Sequence, residues 1–336
     1  MLESVLIVAR QVGVLFVLIA IGYVCNRTKL LNAPTVKGMT DLVLFTVTPC
    51  VIITAFQRKY ELSALGGLGL TFVVYAVSCV LCIAAAHSLI RDADEKRRRV
   101  LRFAVVFSNC GYMAIPMQKA ILGDDGVFYG AVPVALFNIL CWTYGLWLMN
   151  GDTNNGINGN HGKISRNFNC LKIVLNPGIV GCAIGLALFL ARVTLPEIIV
   201  KPMRHMADLN TPIPMVIIGY YLAEIKLKSL SKSFNCPNVF RVIHLRLFIM
   251  PLILLGLIFA TGRVGYANSV AMLAVMIAAS APVAAVTTMF ASKFDQDTTL
   301  SVELVSFSTV ISIISMPLVI GLARYLIYQD CIPPGC

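Results

Sequence analysis

The sequence predicts an all-α polytopic membrane protein, with ten transmembrane helices in two inverted five-helix repeats whose fourth and ninth helices are broken where they cross. Three observations lead there. The first is composition: of 336 residues, 58% are hydrophobic and 13% charged, with a mean hydropathy of +0.83. An average soluble domain is about 25% charged. A soluble globule of this length leaves about a quarter of its chain surface wet and could not hide so many apolar side chains. Disorder, collagen and nucleic-acid binding are excluded by the same numbers. The second is that apolar runs of about twenty residues, the length that crosses a bilayer, recur ten times. The third is that motifs of the first half return in the second.

Taken in order, the first repeat occupies residues 1–150 and holds spans at Val5–Cys25, Lys37–Phe56, Leu65–Leu89, Arg99–Leu122 and Val127–Met149. No typical signal-peptide cleavage site follows the first span, which is therefore expected to remain as a mature helix. Residues 151–170, rich in Asn and Gly, read as a flexible linker. The second repeat, residues 171–336, holds spans at Leu171–Ala191, Met203–Ala223, Val242–Thr261, Ser269–Ser292 and Leu300–Tyr325. Met39-Thr-Asp41-Leu42 corresponds to Met206-Ala-Asp208-Leu209, and Pro49-Cys-Val-Ile-Ile53 to Pro214-Met-Val-Ile-Ile218. Each half then carries a proline in its fourth span, Pro116 and Pro282. With five helices per half, the second half enters the membrane from the opposite side, which is the pattern of a secondary transporter.

Orientation follows from the basic residues. The loops after spans 1, 3, 5, 7 and 9 carry eighteen of the 27 Lys and Arg residues, leaving nine on the side of the termini. The positive-inside rule puts both termini outside the cell and the linker in the cytoplasm. The net charge of +11 has the same origin, and Arg97–Arg99 in RDADEKRRR read as anchors at the membrane surface. The eleven cysteines show no zinc pattern. Most sit in apolar runs as small hydrophobes, while Cys331 and Cys336 could pair in an oxidising compartment. His87 reads as an interfacial residue.

The chemistry is expected at the two broken spans. In FSNCGYMAIPMQKAILG (Phe107 to Gly123), Asn109, Gly111 and Pro116 interrupt a hydrophobic span. Proline removes a backbone donor and crowds the carbonyl four residues back, and broken backbone in a membrane is tolerated only where it is buried or lines a cavity. ASAPVAAVTT (Ala279 to Thr288) repeats the device with Ser280 and Pro282, and adds Thr287. The second half-helices are expected to start near Ala114–Pro116 and Ala281–Pro282, aiming free N–H groups and positive dipole ends at one central spot that suits a carboxylate. Asn109 adds an amide able to donate and accept. No ionisable residue lies between Phe103 and Gln118 or between Asn268 and Ser292. Asp41, Asp208, Lys119, Arg10 and Glu303 are expected at helix ends, snorkelling to water. No HExxH, GxSxG, P-loop or close carboxylate pair is present, so neither an enzyme nor a metal or cofactor site is expected.

These strings, with PVAAVTTMFASKF and the DQD after it, and with NPGIVGCAIGLAL opening span 6, resemble the auxin efflux carrier superfamily, which includes plant auxin carriers and bacterial malate and malonate permeases. The resemblance covers nearly the whole chain. It implies a fold similar to bile-acid symporters and sodium/proton antiporters, with spans 1, 2, 6 and 7 as scaffold and spans 3–5 and 8–10 as transport domain, in a homodimer joined through the scaffold. It implies that Asn109 contacts substrate, that Pro116 and Pro282 are crossover prolines, and that Asn138 is the polar amide of span 5. Plant members have a glutamine where this chain has Val283, and many have a long loop where this one has about twenty residues. A small organic acid other than indole acetate is therefore the expected substrate.

The sequence thus reads as a plasma-membrane carrier of a small organic anion, an exporter or facilitator working by alternating access. Asn109 holds the carboxylate, with Ser108, Asn138, Ser280 and Thr287 as further contacts. Two other readings stand beside it: a sodium-coupled symporter caged by Ser108, Ser280, Thr287, Thr288 and unwound carbonyls, and a membrane sensor that binds a lipid or sterol.

Overall fold

The structure, a computed structural model, describes residues 2–58, 61–150, 177–224, 237–260 and 266–329. The linker expectation and the Cys331–Cys336 expectation fall outside these residues. Within them the chain is helical apart from short connections: α1 (Leu2–Arg27), α2 (Ala33–Phe56), α3 (Leu62–Leu89), α4 (Glu95–Val106), α5 (Cys110–Asn150), α6 (Pro177–Leu190), α7 (Glu197–Asp208), α8 (Pro212–Glu224), α9 (Pro237–Ala260), α10 (Tyr266–Ser280), α11 (Val286–Lys293) and α12 (Thr298–Gln329).

Five of these, α2, α3, α5, α9 and α12, are long and apolar enough to cross a bilayer unaided. Phe16–Arg27 of α1, α6 and Ser269–Ser280 of α10 are apolar but shorter. Two expectations are corrected here, on span 7 and on Glu303. Span 7 was expected as one helix over Met203–Ala223, but a turn at Leu209–Thr211 divides it into α7 and α8, because two prolines, Pro212 and Pro214, start the new helix. Spans 4 and 5 part where expected: within α5 the helix breaks at Gly123, whose φ of 68° and ψ of −151° suit a residue without Cβ, so that Cys110–Leu122 completes span 4 and span 5 follows. Glu303, expected to snorkel, is buried on α12.

Caps explain the sharp starts. The Asn32 carboxamide accepts the Thr35 N–H ahead of α2, with Pro34 in the first turn. Asp94 accepts from the Lys96 and Arg97 N–H groups ahead of α4. In lipid, where apolar contact between helices gains little, close packing of small residues associates them. The α1–α8 contact shows this: a Cβ on Gly219 would lie 2.0 Å from the Ile19 carbonyl oxygen, and one on Gly22 2.1 Å from that of Val216. Gly181 and Gly185 of α6 pack less closely, a Cβ on them lying 3.0 Å from Pro49 and 2.8 Å from Phe56 of α2.

At the end of the molecule that holds the α3–α4 and α11–α12 connections, polar contacts knit helices together. Lys96 pairs with Asp295 at 2.6 Å and Arg97 with Asp297 at 3.4 Å. Asn238 donates to Asp92 and to the Arg91 carbonyl, and Gln296 to the Met149 carbonyl. Arg98 donates to the Asp92 carbonyl and Arg99 pairs with Glu95. The Lys96 ammonium holds the Asp295 carboxyl below its usual range. Of the arginines expected as anchors, Arg97 is thus also a cross-link to the α11–α12 connection, while Arg98 and Arg99 bond within α4 and the connection before it. His87 meets the Tyr144 hydroxyl at 2.9 Å.

Candidate functional site

The two breaks meet. Phe107–Asn109, between α4 and α5, runs antiparallel to Ala281–Ala285, between α10 and α11, with Ser108 opposite Val283. The Asn109 N–H donates to the Pro282 carbonyl at 2.8 Å and the Ala284 N–H to the Phe107 carbonyl at 3.0 Å. Ala281 precedes proline and is thereby pushed out of the helical region. A third backbone donor, the Val283 N–H, is taken by the Ser308 hydroxyl of α12 at 3.1 Å. Backbone groups freed from helix in an apolar interior each need such a partner.

Packing follows the crossing. One buried cluster joins α4 to α11, with Phe103, Phe107 and Phe290 in contact across it. The other joins α5 to α10, through Met113, Ile115 and Met117 against the Ala271–Ala279 run. Gln118 ties the second pair by donating to the Ala274 carbonyl at 2.8 Å.

Two charges act at this point. Helices α4 and α10 end at the crossing and bring the negative ends of their dipoles, whereas α5 and α11 begin there and bring positive ends. The negative ends are met by Arg246 of α9, which is buried (3% exposed) and donates to the carbonyls of Ala279 at 2.5 Å, Val105 at 3.2 Å and Ala281 at 3.3 Å. Arg246 is one of the eighteen basic residues assigned by sequence to the loop side, although it falls within span 8. The apolar stretch around it sets the guanidinium inside the protein instead, and the count becomes seventeen against nine. A lone arginine within VIHLRLFIMPLIL was the signal that could have marked it, because a charge within a span is costly unless it is functional or paired. Ser308 left no such signal among the many hydroxyls of α12.

The positive ends face a cavity of about 320 Å³. Asn109 and Tyr112 line it from the first break and Ala285, Thr288 and Met289 from the second; Thr40 of α2, Tyr221 of α8 and Ser306 and Thr309 of α12 add polar edges. Pro214, Ile217, Ile218, Leu222, Val302 and Val305 make the rest apolar. Among the described residues, no charged side chain lines it. Thr40, Leu222, Met289 and Val302 all lie toward the helix ends on the side of the α1–α2 and α11–α12 connections. Beyond the crossing the opposite end is shut. There Phe128 of α5 sits between Phe56 of α2 and Phe189 of α6, and Arg58 pairs with Asp125 at 2.5 Å while its guanidinium lies over the Phe128 ring.

Comparison with known proteins gives the family. The family described as "Membrane transport protein" matches residues 7–320. The chain belongs to that family, the auxin efflux carriers. An "Uncharacterized transporter" of Methanothermobacter thermautotrophicus is 25% identical over 309 residues, covering 90% of this chain and 94% of that protein. This membrane transporter therefore carries its broken helices within a sequence that the family model matches over nearly its whole length.

The expected site residues of the transporter divide into three groups. Asn109 lines the cavity. Ser108, Pro282 and Thr287 are buried at the crossing, with the Ser108 hydroxyl 3.5 Å from that of Tyr75 and the Thr287 hydroxyl buried without a hydrogen-bond partner. Pro116, Asn138 and Ser280 are not brought to the cavity. Pro116 sits in the first α-turn after a π-helical turn at Cys110–Ala114, where its missing N–H leaves no gap. Asn138 donates to the Val134 carbonyl and Ser280 to that of Ile277, each on its own helix. After a π-helical turn from Cys110, the first α-helix resumes at Ile115, within the expected Ala114–Pro116, whereas the second begins at Val286, about four residues beyond the expected Ala281–Pro282. The backbone pairing, rather than the prolines alone, decides where helix resumes.

Proposed function

We propose that this transporter moves a small organic anion by alternating access, with the carboxylate held by Asn109 and drawn by the positive ends of α5 and α11. The observation that carries the reading is the antiparallel crossing at Ser108–Val283, whose two helix starts open on a cavity without a charged side chain. Helix starts attract anions through unpaired N–H groups and the dipole together. The cavity lies at the low end of the roughly 300–1,000 Å³ typical of small-molecule sites. A second carboxylate would face Ile217, Leu222 and Val305 unpaired, and burying an unpaired charge is expensive. A monocarboxylate with an apolar body therefore suits this lining better than malate or malonate.

In this reading the transporter has ten spans in inverted repeats, the fourth and ninth being α4 with the start of α5, and α10 with α11. Helices α1, α2, α6, α7 and α8 form the scaffold and dimerise in the plasma membrane; the others move. The basic side is cytoplasmic, the termini are outside, and the cavity opens inward.

A thermal-shift screen of mono- and dicarboxylates on purified protein, followed by counterflow in proteoliposomes, tests the reading. A monocarboxylate at a hundredfold excess over its Kd should add about 2.7 kcal/mol of stability, a shift of several degrees. Uptake that requires sodium would replace uniport by the sodium-coupled reading, for which the unpartnered Thr287 hydroxyl is a ready ligand. A lipid retained through purification, with no anion exchanged, would favour the sensor.

A further inference from the structure

The structure assigns Arg246 a role beyond holding helices together: we propose that it is the fixed counter-charge that makes the crossing selective for a single negative charge. The proposal rests on the reading that the cavity takes an organic anion, and adds the group that sets its charge preference. Each helix end at the crossing carries roughly half an elementary charge, negative for α4 and α10 and positive for α5 and α11. Left alone, the four ends would nearly cancel. The guanidinium donates to Val105 near the end of α4, to Ala279 near the end of α10 and to Ala281 in the second break. One full positive charge thus offsets the two negative ends. What remains, on the cavity side, is the pair of positive ends, together about one charge.

Three further features fit this role. Among the described residues no carboxylate lies within ion-pair distance of Arg246, so its charge is met by backbone carbonyls and the neutral Cys82 thiol. Its side-chain neighbours are neutral: Tyr75, Cys79 and Cys82 of α3 and Cys110 at the first break are the titratable groups that feel its charge. A guanidinium keeps its proton in proteins, so the counter-charge is present whether or not substrate is bound. Arg246 does not line the cavity and acts on the anion through the helix ends, as a positioning residue.

The test compares benzoate with benzamide, which is similar in shape but neutral, by calorimetry on purified protein in detergent. In R246Q, benzoate affinity should fall at least about tenfold, as expected for losing a buried charge that serves an anion, while benzamide affinity holds. R246K keeps the charge and should stay within about threefold of wild type for benzoate. Should R246Q fail to fold, C82D leaves Arg246 in place and sets a carboxylate beside it. The buried pair then cancels the charge, and benzoate affinity should fall while benzamide affinity holds. Equal losses for both ligands in R246Q or C82D would make Arg246 purely structural and overturn the proposal, as would unchanged benzoate affinity in C82D. Wild-type protein that binds neither ligand removes the anion reading, and this inference falls with it. Wild-type protein that binds benzoate with R246Q unchanged removes this inference alone.

Discussion

Asn109 is the residue on which two structural tasks converge. Its N–H closes the crossing on the Pro282 carbonyl while its side chain lines the cavity. Only the side chain is lost in Asn109→Ala, so the crossing survives. A hydrogen bond to a charged group is worth about 1.5–3 kcal/mol, and on the order of ten- to a hundred-fold in affinity should go with the melting temperature unchanged. Calorimetry beside a melt measures both. Lost stability with affinity kept would make Asn109 a cap. Asn138→Ala should leave binding within about twofold, because its amide bonds to its own helix.

At the scale of helices, the α1–α8 contact is set by backbone approach, and adding one methyl group tests it. Gly219→Ala would drive a Cβ to 2.0 Å from the Ile19 carbonyl. Overpacking of this kind costs about 1–3 kcal/mol and should lower the melting temperature by several degrees. Gly38→Ala on α2, where a Cβ meets nothing within 4 Å, should leave it unchanged or slightly raised. Equal melts would mean that α1 and α8 are looser than described. A second helix-scale test concerns the shut end. Arg58→Ala removes the pair with Asp125 and the contact over Phe128. An exposed ion pair contributes about 0.2–1 kcal/mol, so labelling from outside of a cysteine placed at Thr288 should rise by up to about fivefold. No rise would mean that the pair does not hold this end closed.

At the scale of the whole molecule, orientation decides which way the cavity opens. Ser63 and Ala93 are exposed at opposite ends of α3. On a background without other reactive thiols, Ser63→Cys should label in intact cells and Ala93→Cys only after permeabilisation. The reverse pattern would turn the cavity outward and exchange the roles of the two ends. The cross-links Lys96–Asp295, Arg97–Asp297 and Asn238–Asp92 all lie at the Ala93 end, which joins α4, α9, α11 and α12 so that they can move as one body.

What could be read from the sequence alone was whatever depends on the composition of a segment or on local chain chemistry. Twenty apolar residues need a bilayer, the prolines and glycines at Asn109–Pro116 and Ala281–Pro282 break helices, and Asn109 follows from an amide placed beside such a break. These are properties of a few neighbouring residues, so they survive without a fold. Pairings between distant segments were decided only by the tertiary structure. Ser108 lies opposite Val283 because two helices cross, and helix resumes at Cys110 and Val286 because that pairing takes up the backbone between. Ser280 and Asn138 turn to their own helices because nothing across the space competes for them. Arg246, 137 positions beyond Asn109 in the chain, reaches the crossing only when α9 packs against both broken helices, and a count of charges by segment reads it as one more surface residue. The low-dielectric interior makes the difference, since there a guanidinium must find carbonyls to satisfy it, and which carbonyls it finds is set by packing.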